Sequence, residues 1–494
     1  MPSPTIAVPF VAQYISRIMS IEPIRRQSLI SLANIIGLTA LGYIATMYFA
    51  HVLGPAVLGS YYLFLSYYSI FSLIGDGGFG GAVTKRISEG NEQDEYFSAF
   101  IVLRIILLAV SVTALLFLAP YFRDFSSTGL LPWLIIALIA GTIAGFAASG
   151  VYGSAKVGVA QISDFLNNTV RIVVQIIATF FGYAAAGLAG GFIAGLLAGF
   201  VLNFYYLPLK LVKFGASHLK SLFSFSFWIF LTSSGFTIFA TADTILIGYY
   251  LSNADVGIYR IAYQITGAAL FICTAVNTAL FPRMSRWNTD GDLLSISSAL
   301  TRAISVSLLL AVPLVTGGII LSDKLLYYLY GADFVSGTPA LIVLLIMQIA
   351  TVFVTLQITC LNAMDRPKNS FMATSLSALI NIALNIILIP LLGILGAAVA
   401  TLFSVTLNAI ISRALLSRYL KIFLEGREIL NIIVAASAMA GVVLAFRMFT
   451  GVPSFFYLIG IIATGALIYF LILFRIDSKL RQEAGDLLRT LGLL

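Results

Sequence analysis

Charge is scarce in this chain and cysteine and histidine are nearly missing, and each shortage removes a class of protein. Asp, Glu, Lys and Arg make up 10% of the 494 residues against 60% hydrophobic residues, too little charged surface to clothe a soluble globule. With a mean hydropathy of +1.02, the chain belongs in a bilayer. The two cysteines, Cys273 and Cys360, sit inside apolar runs and offer neither a disulfide framework nor a thiolate metal site. His51 and His218 are expected on opposite sides of the membrane, so no metal centre is expected from histidine either. The chain has no GxxxxGK[ST] loop, which leaves direct use of ATP without support. A net charge of +8 does not point to nucleic acid, because Lys and Arg fall in short clusters between apolar runs, the spacing of membrane topology signals.

What is present is a series of apolar runs, about fourteen of them, each near the roughly 20 residues that a spanning helix needs. The fold expected is therefore all-α and polytopic. The second run covers 58–80, the fifth 163–183, the seventh 222–250 and the eighth 256–281. Clusters such as Lys85 and Arg86, Lys210 and Lys213, Arg283 and Arg286, and Arg413 and Arg418 fall on one side, whereas Arg123, Lys324 and Arg447 fall on the other. Cations are retained in the cytoplasm, so both termini are expected there, in a plasma (inner) membrane protein. No short apolar core with a small-residue cleavage site occurs in Met1 to Gln27, which reads as an interfacial lead-in and not a signal peptide. The connections are too short to build a separate catalytic domain.

The chain also repeats itself. LGPAVLGSY at Leu53 to Tyr61 lies in register with LSNADVGIY at Leu251 to Tyr259, 198 residues further on, and Lys85 then lies opposite Arg283. A weaker echo links GLAGGFIAGLLAGF from Gly187 with GAAVATLFSVTLN from Gly396, both loaded with small residues that let membrane helices approach closely. These matches divide the chain into a lead-in at 1–29, a first lobe of six helices at 30–212, a second at 213–424, and a final helix pair with a cytoplasmic tail at 425–494. An even number of helices in the first lobe makes the two repeats parallel, related by an axis along the membrane normal.

Three stretches carry a family resemblance: LGPAVLGSYYLFLSYYSIFSLIGDGGFGGAVTKRIS, DTILIGYYLSNADVGIYRIA with its closing FPRMSR, and LYGADF followed by LNAMDRPKNS and LIPLLGILGAAVATLFS. In their order and spacing they resemble the polysaccharide transport proteins, the oligosaccharide-lipid flippases of the multidrug, oligosaccharidyl-lipid and polysaccharide exporter superfamily. The resemblance implies two six-helix bundles in a V around a central cavity, with two peripheral helices, working as a monomer. It implies movement of a polyprenyl-phosphate or pyrophosphate-linked saccharide from the inner to the outer leaflet.

Ionisable groups at membrane depth cost roughly 2.5–3.5 kcal/mol on insertion scales, so each requires a reason. Arg104, Arg171 and Arg260 are the cationic candidates for binding a phosphate-bearing substrate, since guanidinium meets phosphate with two parallel hydrogen bonds. Snorkelling of Arg104 and pairing of Arg260 with Asp255 or Asp243 are the plainer alternatives. Asp243, with Thr241 and Thr244 beside it, and Asp76 are the candidates for coupling to a sodium ion or a proton. For Asp76 the GGFGG that follows favours a helix end. Amides such as Gln175, Gln264, Asn381 and Asn385 suit sugar hydroxyls or bonds between helices. No catalytic constellation, cofactor or metal site is expected. Two other readings stay open: an ion-coupled exporter of small molecules, which favours a cavity dominated by carboxylates, and a membrane glycosyltransferase or polymerase, which needs an acidic cluster at the outer face.

Overall fold

The computed structural model describes residues 23–122, 125, 128–421, 426–477 and 481, with side chains from residue 37 onward other than those of Trp228, Thr232 and Phe236. Most of the lead-in, most of the C-terminal tail, Arg123 and the side chain of Asn34 lie outside the described residues. Helix α1 (Pro23–Asp76) is broken at Gly54, whose φ of 73° and ψ of 177° lie outside helical backbone and divide it into the arms 23–53 and 55–76. There follow α2 (Phe79–Ser88), α3 (Gln93–Leu118), α4 (Leu131–Gly153), α5 (Val157–Phe180) and α6 (Ala184–Tyr206). The second half holds α7 (Ala216–Tyr250), α8 (Asn253–Thr266), α9 (Phe271–Thr289), α10 (Leu293–Ile320), α11 (Ser322–Tyr330), α12 (Thr338–Ala363), α13 (Pro367–Leu392) and α14 (Ile394–Leu416). Two further helices, α15 (Gly426–Phe449) and α16 (Phe455–Ile476), complete the chain.

Among the described residues, eleven helices are long and apolar enough to cross a membrane, or twelve with the bent α7. The sequence predicts about fourteen, and the difference has two physical sources. The arms of α1 run as one helix broken only at Gly54, and α5 carries Asp164, Asn167, Asn168, Arg171 and Gln175 along a 24-residue length. The expected eighth span is also more complex: α8 passes through a 3₁₀ turn at Gly267–Leu270 into α9, which holds Pro282.

Apolar side chains cover the outside as well as the inside. Phe117, Phe180, Val201, Ile387, Phe403 and Leu471 are exposed, as suits a molecule solvated by lipid chains. Contact between helices therefore comes from small residues and internal hydrogen bonds. Helices α5 and α6 lie closely together because Gly191 and Gly195 abut the backbone around Arg171 and Asn167. The turns before the repeated helix pairs match: Ala155 before α5 and Asp365 before α13 both take left-handed backbone, with φ of 60° and 57°. Gly182 and Gly393, with φ of 81° and 62°, turn the chain into α6 and α14.

One end of the molecule is rich in cations, and hydrogen bonds tie its loops together. There Lys156 donates to Tyr206 O (2.9 Å), and His218 Nε2 lies 3.1 Å from Glu92 Oε2 across the two halves. Asp292 caps α10 by accepting from Ser295 N (3.0 Å), and hydrogen bonds from the Ser295 hydroxyl and backbone N–H hold its exposed carboxyl below the ordinary carboxylate range. At the opposite end the repeat meets itself. A Cβ on Gly59 would overlap Asn253 O, and one on Gly257 would overlap Pro55 O. Since 55 and 253, like 59 and 257, are repeat equivalents, the arm 55–76 and α8 touch reciprocally across a local two-fold axis. Asn253 Nδ2 donates to Ser60 Oγ (3.0 Å) beside this seam.

The last helix pair packs on α10. Arg447 holds it at the opposite end by pairing with Asp323 at 3.3 Å and donating to Ile320 O at the terminus of α10, a favourable place for a cation. Arg447→Ala is expected to lower the unfolding temperature by a few degrees at most, about 1 kcal/mol, because the pair is partly exposed. A thermal melt in detergent checks this.

Candidate functional site

Asp243 sits on α7 seven residues from its end, about 10 Å along the helix at about 1.5 Å per residue. It is 7% exposed and is met by three other helices. Tyr259 of α8 donates its hydroxyl to Asp243 Oδ2 at 2.6 Å, Thr401 of α14 donates to the same oxygen at 2.6 Å, and Asn385 Nδ2 of α13 donates to Oδ1 at 2.6 Å. Asn381, one turn before Asn385, accepts from Asn385 Nδ2 at 3.0 Å, and Ala397 O lies 2.9 Å from Thr401 Oγ1 as an alternative acceptor for its one hydroxyl hydrogen. Asn385 Oδ1 is buried with no hydrogen-bond partner. The neighbours anticipated from sequence are not the ones found, because Thr241 bonds to Thr237 O and the Thr244 hydroxyl has no partner.

Such a nest gathers carboxylate, amide, hydroxyl and carbonyl oxygens around one formal negative charge. A monovalent cation or a proton would neutralise it, and the unpaired Asn385 oxygen is a ready extra ligand. The repeat partner of Tyr259 is Tyr61, whose hydroxyl accepts from Gln175 Nε2 at 2.8 Å. The hydrogen-bond partner of the repeated tyrosine is thus a neutral amide in the first half and a carboxylate in the second.

Arg171 and Gln175 line a cavity of about 240 Å³ between the arms of α1, α5 and α8. Gln264 enters it from the second half and accepts from the Tyr62 hydroxyl at 3.2 Å. Arg260 lies against the rings of Tyr62 and Tyr263, 5.5 and 5.7 Å from their centroids, so a second guanidinium stands beside the wall that Tyr62 provides. Its expected pairing partners are otherwise engaged: Asp255 caps α8 with Ser252, and Asp243 is held in its nest.

Arg104 and Asp76 are brought to each other instead. Arg104 is 6% exposed, its NH1 lies 3.5 Å from Asp76 Oδ1, and its guanidinium rests between the rings of Phe100 and Phe146. Neither residue is among those lining the cavity of Arg171. Asp76 also ends α1, followed by Gly77 and Gly78 with positive φ, as the helix-end reading anticipates. Arg104→Ala removes a buried guanidinium from Asp76 and from the rings of Phe100 and Phe146, and is expected to cost about 1–2 kcal/mol of stability, because Asp76 itself is 31% exposed. The checkable result is a clear fall in folded protein, which Arg171→Ala should not share.

A second, apolar cavity of about 380 Å³ adjoins the first. It is walled by Leu345 of α12 and by Met439, Val443, Gly465 and Tyr469 of α15 and α16, and Tyr43 lines both cavities. The Tyr43 hydroxyl donates to Gln264 O at 2.7 Å, fixing the ring at the junction. A chamber that bears arginine, glutamine and tyrosine side chains thus adjoins a more wholly apolar one.

The chain matches the family described as "Polysaccharide biosynthesis protein" over residues 25–288, and the family described as "MatE" over residues 229–387. It is 28% identical to a protein of Haloferax volcanii named "Probable low-salt glycan biosynthesis flippase Agl15", covering 89% of this chain and 93% of that one. It is 27% identical to another from the same organism, "Probable flippase AglR", covering 91% and 95%. Among solved structures it is similar to the lipid II flippase MurJ in an inward closed conformation, with a TM-score of 0.77, 18% identity, and coverage of 92% of this chain and 99% of that one. It is also similar to an inward-facing multidrug resistance MATE family transporter, with a TM-score of 0.65, 15% identity, and coverage of 77% and 95%. These likenesses show the fold.

Proposed function

The chain belongs to the polysaccharide biosynthesis protein family, and from that membership and its paired chambers we propose that it is a flippase for a lipid-linked oligosaccharide. The cargo is a saccharide joined by phosphate or pyrophosphate to a polyprenol, carried from the cytoplasmic to the outer leaflet for glycan assembly. The observation that carries the reading is Tyr43, shared by a chamber bearing Arg171 and one lined almost wholly by apolar groups. An amphiphile with an anionic junction fits both at once: the phosphate beside Arg171, the sugars in that same chamber, the prenyl chain against α15 and α16. The cation-rich end faces the cytoplasm. With the repeats touching at the opposite end, loading occurs from inside, and the two halves then rock about the seam to release cargo outside. The Asp243 nest couples that motion to a sodium ion or a proton. The relatives' names, which describe flippases, support this reading.

The test is outward movement of a fluorescent polyprenyl-pyrophosphate oligosaccharide in proteoliposomes. Arg171→Ala is expected to slow it about tenfold or more, the worth of a hydrogen bond to a charged group, with protein in the membrane at its normal level. Transport of a drug-like cation in place of the glycolipid would instead favour a small-molecule exporter, and growth of the saccharide would favour an enzyme.

A further inference from the structure

A cavity of about 600 Å³, larger than either chamber above, lies at the cation-rich end outside both. Its floor is the first turns of α10, where Ser297, Ser298, Thr301, Arg302 and Ser305 recur along one helix face. Lys421, beyond α14, forms a wall, and Glu428 of α15 stands opposite.

Three features of this cup point to a ligand. Ser305 is 4% exposed and lines the cavity, yet its hydroxyl has no hydrogen-bond partner. A serine in a helix ordinarily bonds a carbonyl one turn back, as Ser298 does with Ser295 O at 3.1 Å. The lining also carries cationic groups: Lys421 brings an ammonium to the wall, Arg302 lies at the base 3.4 Å from Glu428, and Arg366 stands behind the wall 4.9 Å from the Tyr419 ring. Finally the rim is oily, with Leu293 at 41% and Leu294 at 84% exposure at the start of α10.

Hydroxyl and guanidinium donors at the base, an ammonium at the wall and leucines at the lip match an anionic amphiphile lying at the membrane surface. We propose that this cup binds the phosphate headgroup of a membrane lipid, with the lipid chains running along Leu293 and Leu294. A soluble phosphate ester presents the same anionic oxygens but has no use for the lip. Occupancy ties α15, through Glu428, to α10. Because Met439 and Val443 of α15 wall the apolar chamber, a bound headgroup steadies that wall from the membrane surface.

The purified full-length protein is titrated with dioctanoyl phosphatidylglycerol, with dioctanoylglycerol or with inorganic phosphate while thermal unfolding is followed. Phosphatidylglycerol is expected to raise the unfolding temperature saturably, and the phosphate-free glyceride is not. Lys421→Ser, a change at the cavity wall, and Ser305→Leu, which fills the base, should each raise the half-saturating concentration about tenfold. If Ser305→Leu does not fold, Lys421→Ser decides alone. An equal response to inorganic phosphate, lost in the same variants, supports the phosphate site with a soluble source. A wild-type response in the variants, an equal response to dioctanoylglycerol, or a response lost with Arg171→Ala instead would overturn the proposal.

Discussion

Asp243→Asn is expected to remove the ion dependence of transport and slow it roughly 5- to 150-fold, the span of a typical 1–3 kcal/mol coupling between sites, with little loss of folded protein. The isosteric amide keeps the nest bonded. Its oxygen accepts from Asn385 Nδ2 in place of Oδ1, and its nitrogen donates toward the Tyr259 and Thr401 hydroxyls, which rotate to accept; Thr401 already has Ala397 O as its own acceptor. What disappears is the charge, and with it the attraction that draws a cation to these oxygens. Asp243→Leu is a different experiment: it leaves the Tyr259 hydroxyl on α8 and one N–H of Asn385 on α13 without acceptors, each costing about 1–3 kcal/mol, and should lose the protein itself. The reading is direct when the glycolipid assay is run across sodium concentrations at fixed pH, and then across a pH gradient without sodium. Dependence on one of the two in the wild type, absent in Asp243→Asn, identifies the ion. Wild-type dependence retained in the variant makes Asp243 a structural acceptor only.

The residues that matter here were visible in the sequence to different degrees, according to how far apart their partners lie. Membrane depth alone marked Asp243, Arg171, Arg104 and Arg260, because charge in an apolar run stands out. Pairing did not show. Asn385 and Thr401 reach Asp243 from 142 and 158 residues away, and only the one-turn spacing of Asn381 and Asn385 hinted at a shared polar face. Arg104 and Asp76 read separately in the sequence, one as a binding cation and the other as a coupling carboxylate or a helix end, although opposite charges on adjacent crossing helices are a natural pair. Tyr259 was within reach of inference, since its register with Tyr61 marks a position that both halves keep aromatic and hydrogen-bonded. The Tyr43 junction had no sequence signal, because it depends on where the break at Gly54 sends the first arm of α1.

Gly59→Leu is expected to stop the outer seam from closing and to hold the central chamber open to the outside. No side chain fits at this position, because the first carbon would overlap Asn253 O, and Gly257 faces Pro55 O in the same way across the local two-fold axis. The arm 55–76 and α8 must then part at their outer ends, and overpacking of this kind costs about 1–3 kcal/mol. That cost falls only on the closed state, so the open population rises roughly 5- to 150-fold. Accessibility measures it. Thr46 lines the chamber of Arg171, and the native Cys273 and Cys360 are buried, so Thr46→Cys is a quiet background for labelling by a membrane-impermeant maleimide added outside. Labelling should be slow with Gly59 present and faster by about the same factor in Gly59→Leu, while glycolipid transport falls, since a gate held open on one side cannot reload from the other. Gly257→Leu should repeat both effects, because the contact is reciprocal. Unchanged labelling in both variants, at normal protein levels, would mean that the glycines pack the helices without gating them.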